Sequence, residues 1–167
     1  MKLASLNDGS KDGQLIVVSR DLSKFAYASD VSQTMQNAMD NWEDVFNELT
    51  SLSNDLNRGN LKSKKFEPKN VLSPLPRSYQ WADGSAYVNH VHLVRKARGA
   101  DMPDSFWNDP LMYQGGSDDF IPPLSPIYLP DESWGIDMEG EIAVITGKVN
   151  MGTSSKKALS SIRLLML

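Results

Sequence analysis

Two carboxylates stand two residues apart in Asp137-Met138-Glu139-Gly140-Glu141, at the entry to the apolar run Ile142 to Ile145. Side chains alternate along a strand, so a strand here puts Glu139 and Glu141 on one face. Gly140 between them leaves the opposite face open to close approach. Neighbouring carboxylates repel each other, and burying both requires a partner or a metal. A hard dication such as Mg²⁺ or Ca²⁺ meets that need with oxygen ligands alone. The same alternation also describes a strand whose charged face simply lies in water, the ordinary place for charge.

A second group lies in Tyr79-Gln80-Trp81-Ala82-Asp83-Gly84-Ser85-Ala86-Tyr87-Val88-Asn89-His90. The chain has two histidines, His90 and His92, and histidine is the natural general base near neutral pH. Asp83 could complete a carboxylate cluster with Glu139 and Glu141. An Asp before Gly is also a common turn former, and an isolated histidine is often structural. A third group is Asp109-Pro110-Leu111-Met112-Tyr113-Gln114-Gly115-Gly116. A tyrosine ahead of two glycines presents a hydroxyl and backbone amides, which suits an anionic substrate. It equally describes an aromatic side chain anchoring a loop.

The elements that must position these residues follow from pattern. Lys2 to Asn7, Gln14 to Ser19 and Lys24 to Ala28 are β-rich and separated by turn residues, so they predict a small antiparallel meander. Met35, Ala38, Met39, Trp42, Val45, Phe46, Leu49, Leu52 and Leu56 recur at helical spacing, which predicts one amphipathic helix over residues 32–57. Asp30 is its expected cap, with Gln33 placed as in a capping box, and Gly59 is its stop. Asn60 to Pro76 is polar, basic and proline-bearing and reads as a linker. Beyond it, Gly84 and Gly99 bracket a helix containing Tyr87, His90, Val91 and Val94. Residues 101–131 are rich in Pro, Gly, Asp and Ser and predict long ordered loops, which are often functional. Ile136 to Thr146 predicts a strand, Ser154 to Ser160 a short helix, and Ile162 to Leu167 an apolar strand.

Composition narrows the function classes. Apolar residues make up 40% and charged residues 23%, a balance that can form a core. The net charge is -4 with both signs interspersed, which argues against nucleic acid as a partner. Lys62, Lys64 and Lys65 are a short basic run in the expected linker. There are no cysteines, so disulfides, thiolate metal sites and cysteine nucleophiles are excluded. Asp8 interrupts any signal core at the start, and no apolar run is long enough for a membrane helix. These features fit a reducing cytoplasm.

The segments Asp83 to His90, Pro110 to Gly115 and Asp137 to Ile142 occur in the order found in fumarylacetoacetate hydrolases, and the chain resembles that family throughout. The resemblance implies an α+β fold. Residues 1–76 correspond to a small N-terminal strand and helix domain of the bacterial type. Residues 77–167 correspond to the first part of the catalytic domain, a mixed β-sandwich-like roll. Asp83, Glu139 and Glu141 resemble three of the four carboxylates that hold a divalent cation, Mg²⁺ or Ca²⁺. His90 resembles the histidine that activates the attacking water. Tyr113 matches a substrate-contacting tyrosine, and Arg95, or Arg98 in its place, a substrate-binding arginine.

The implied activity is metal-dependent hydrolysis of the C–C bond of a small β-diketone acid, 4-fumarylacetoacetate, in tyrosine degradation. Acylpyruvate hydrolysis and oxaloacetate decarboxylation are the alternatives within the family, and the N-terminal domain favours the fumarylacetoacetase type. The family's fourth carboxylate belongs to an Asn-Asp-x-Ser type segment beyond an apolar strand like Ile162 to Leu167. The expectation is therefore a truncated N-terminal portion, inactive alone or a non-catalytic fragment, whose full-length form is a cytoplasmic homodimer.

Overall fold

Leu15, Ile16, Val17 and Val18 are all buried, so the strand they form must be covered on both faces. In the computed structural model, which describes residues 1–85, 87–136 and 138–167, that strand is β2 (Gln14–Val18). It lies between β1 (Lys2–Leu6) and β3 (Lys24–Tyr27), both antiparallel to it. One face carries Leu15, Val17 and Ala26 against Met35, Ala38, Trp42, Leu49 and Leu56. The other carries Ile16, Val18 and Phe25 against Val71, with Phe66 partly covering them. The turn between β2 and β3 places Leu22 at φ 59, and the Asp21 carboxylate braces it by accepting from the Ser19 and Ser23 hydroxyls.

The expected single helix is two. Helix α1 (Met35–Asp40) and helix α2 (Trp42–Arg58) are broken at Asn41, whose side-chain amide donates to the Asn37 carbonyl at 2.9 Å. Such local bonding competes with the regular helix ladder. The N-cap is Thr34, not Asp30: its hydroxyl accepts from the Asn37 amide at 3.1 Å. Gln33 makes no capping box, and its side-chain amide donates to the Ser29 carbonyl instead. Gly59 ends α2 in the left-handed region at φ 82, as expected. Trp42 and Leu49 are buried as predicted, whereas Phe46 is 42% exposed and touches the core through the Trp42 ring.

The segment read as a linker is part of the sheet. Strand β4 (Lys64–Lys65) pairs with β3, and its lysines mark the sheet's edge. Lys64 donates to the Tyr27 hydroxyl at 2.8 Å. Further on, Asn7 donates to the Asn70 carbonyl and Leu72 to the Ser5 carbonyl, which brings buried Val71 beside β1.

The chain forms two compact units, one of Met1–Pro76 with Phe120–Leu167 and one of Arg77–Asp119. The second contains β5 (Ala82–Ser85), α3 (Val88–Ala97), a 3-10 turn at Asp104–Trp107 and β6 (Leu111–Gln114), with β5 and β6 antiparallel. Residues 101–131 are therefore not all loop. Pro110 and Gly115 hide a strand of only four residues between them.

In the remainder of the first unit, β7 (Ala143–Thr146) pairs antiparallel with β8 (Ile162–Met166), and α4 (Ser155–Ala158) connects them. The strand expected from Ile136 starts only at Ala143, because its ladder with β8 begins at the Ala143–Met166 pair. Residues 138–142 are irregular and exposed, and Asp137 lies outside the described residues. Leu164 of β8 packs on the helix-side core, and the Arg163 guanidinium bonds the Glu43 carboxylate of α2. No helix among the described residues is long and apolar enough to cross a membrane. The architecture is mixed α+β with small sheets and few helices.

Candidate functional site

Residues directly opposite in an antiparallel ladder point to the same face. Asp83 of β5 stands opposite Tyr113 of β6. The structure thus places a carboxylate and a phenol side by side on one face of a hairpin. Asp83 is partly buried and Tyr113 is 61% exposed. Trp81, two residues before Asp83, continues the same face, with its ring centroid 5.7 Å from that of Tyr113 at 55°.

Helix α3 packs against β5 and carries two more of the expected residues. His90 is exposed in its first turn. Arg95 lies in the last turn and donates to the Asp101 carbonyl at 3.0 Å, which fastens the loop that follows. Arg98, at the helix's C-terminal cap, is exposed.

Glu139 and Glu141 belong to the other unit, in the exposed irregular segment before β7, so the expected strand face is not what holds them. Neither has an ion-pair partner among the described residues. Gly115, the first glycine after Tyr113, also acts otherwise than expected. The Gly115 amide donates to the Trp81 carbonyl at 2.9 Å, so it is consumed by the hairpin and is not offered to an anion. The Gly116 carbonyl accepts from the Trp81 indole at 3.0 Å.

A family model described as fumarylacetoacetase N-terminal domain 2 matches residues 1–77. A second, described as fumarylacetoacetate (FAA) hydrolase C-terminal, matches residues 80–167. The chain belongs to the fumarylacetoacetate hydrolase family. No curated protein matched the sequence. Fumarylacetoacetate hydrolases are generally divalent-cation dependent. Asp83, Glu139 and Glu141 each offer the hard oxygen donors that such an ion takes, and neither glutamate has an ion-pair partner among the described residues. Among the described residues, no group of three or more His, Asp or Glu side chains is placed to hold a metal ion.

Trp81 and Gly115 are the residues of this face that sequence reasoning missed as partners. Their signal is weak in one dimension, because 34 positions separate an ordinary tryptophan from an ordinary loop glycine.

Proposed function

We propose that this protein hydrolyses the C–C bond of a β-diketone acid, with 4-fumarylacetoacetate as its substrate in tyrosine degradation. Family membership supports the reaction class, and the opposition of Asp83 and Tyr113 on one hairpin face is the observation that carries the site. Residues 77–167 then belong to a β-sandwich-like catalytic roll.

His90 takes a proton from water, and the resulting hydroxide attacks the ketone of the substrate. The C–C bond breaks, its electron pair leaves as an enolate, and the enolate carbon is then protonated. Asp83, Glu139 and Glu141 are the residues that would hold the cation, which supplies Lewis acidity toward the oxygens that gain charge. The Tyr113 hydroxyl donates to a substrate carboxylate. Arg95 has guanidinium donors beyond the one bound to Asp101 and gives that carboxylate a cationic partner.

The whole protein, as its cell makes it, tests this. With Mg²⁺ added, it should remove the β-diketone absorbance of 4-fumarylacetoacetate, and a chelator should stop it. His90→Ala should slow turnover by roughly 10²–10⁴-fold, the usual contribution of a positioned base. Turnover indifferent to His90→Ala would overturn the assignment. Faster loss of acetylpyruvate, or decarboxylation of oxaloacetate, would move the substrate to the related reactions.

A further inference from the structure

We propose that Gly115 and Trp81 are positioning residues for Tyr113, an inference that rests on the substrate-binding role proposed for that tyrosine. Tyr113 is largely exposed, and a free phenol on a surface strand samples several rotamers. A fixed hydroxyl needs a wall for its ring. Trp81 is that wall, at 5.7 Å between centroids.

Trp81 is itself held at three points, one on the ring and two on the backbone carbonyl. Its Nε1–H donates to the Gly116 carbonyl at 3.0 Å. Its backbone carbonyl accepts from the Gly115 amide at 2.9 Å and from the Gln114 side-chain amide at 2.9 Å. Its ring lies across the Gly115 α-carbon: a Cβ there would stand 1.9 Å from Cε2 and 2.2 Å from Cδ2. No side chain larger than hydrogen coexists with the indole in this place. Six other glycines have positive φ, whereas Gly115 does not. It is therefore required by the ring above it and not by backbone conformation.

The test combines kinetics with the indole signal in the whole protein. In Gly115→Ala, the Trp81 indole N–H and Tyr113 ring resonances should shift. KM for 4-fumarylacetoacetate should rise roughly tenfold with kcat changed less than about threefold, the pattern of one lost ground-state hydrogen bond. Trp81→Ala should raise KM similarly. Adding Gly115→Ala to Trp81→Ala should cost nothing further, because no indole is left to displace.

A Gly115→Ala protein with unmoved resonances or wild-type KM overturns the proposal. So does a double variant whose losses simply add, which is what general damage to the hairpin produces. A wild-type protein that turns over no β-diketone acid is a separate result: it sinks the proposed function, and the positioning role with it.

Discussion

Asp83 and Tyr113 face each other across β5 and β6, yet nothing near either residue looks like a strand in the sequence. Asp83 precedes a glycine and Tyr113 follows a proline by three positions, so each reads locally as loop. What was legible was the kind of side chain and its order along the chain. The pairing was not, because opposition across a hairpin depends on register. If Tyr113 binds a carboxylate, Tyr113→Phe should raise KM roughly 10- to 100-fold with little loss of kcat, as for one hydrogen bond to a charged group. Steady-state kinetics checks this, and an unchanged KM would remove Tyr113 from the site. Elsewhere, the Ser19 hydroxyl, then Ser23, holds the exposed Asp21 carboxyl down at about 2, from an ordinary value of 3.8. A depressed carboxyl stabilises the fold fully above its ordinary value, and the benefit is lost as pH falls toward about 2. Asp21→Asn should therefore flatten the acid-unfolding curve over that interval, while a curve of unchanged shape would discount the turn's hydrogen bonds.

The elements best read from sequence were those built on strong apolar pattern. The first three strands and the stop at Gly59 are where periodicity and turn chemistry put them. The helix was legible as an apolar stripe, but its break at Asn41 was not, because an asparagine amide turning back to Asn37 leaves the stripe intact. Thr34→Ala should cost about 1 kcal/mol by loss of the cap, and Asp30→Ala close to nothing. Denaturant titration of the two variants decides between the caps. Trp42→Ala should cost about 3–5 kcal/mol, since the ring is buried where α2 meets the sheet. A change near zero would contradict that packing. The Glu139-Gly140-Glu141 run was read too far into a strand, because apolar residues from Ile142 onward extended the pattern beyond where β8 can pair with it.

Across the whole molecule, residues 120–167 belong to the same compact unit as residues 1–76. Leu164, the Arg163–Glu43 ion pair and the Phe120 amide donating to the Pro76 carbonyl contribute to that union. Leu164→Ala should destabilise this unit by about 2 kcal/mol, the low end for a partly buried leucine. Thermal unfolding followed by Trp fluorescence checks it, and an unaltered midpoint would mean that β8 contributes nothing to the core. The family was legible because three motifs in one order are far more specific than any one of them, and the matches over residues 1–77 and 80–167 agree. Convergence of the proposed ligands Asp83, Glu139 and Glu141 is not something their spacing in sequence encodes. The proposed reaction is hydrolysis at a carbon–carbon bond. Its most direct measurement is turnover of 4-fumarylacetoacetate by the whole protein in ¹⁸O-labelled water, with the products weighed by mass spectrometry. Attack by water on the ketone predicts fumarate carrying one ¹⁸O in its new carboxylate, together with acetoacetate. Release of CO₂ from the substrate, or fumarate without the label, would contradict it.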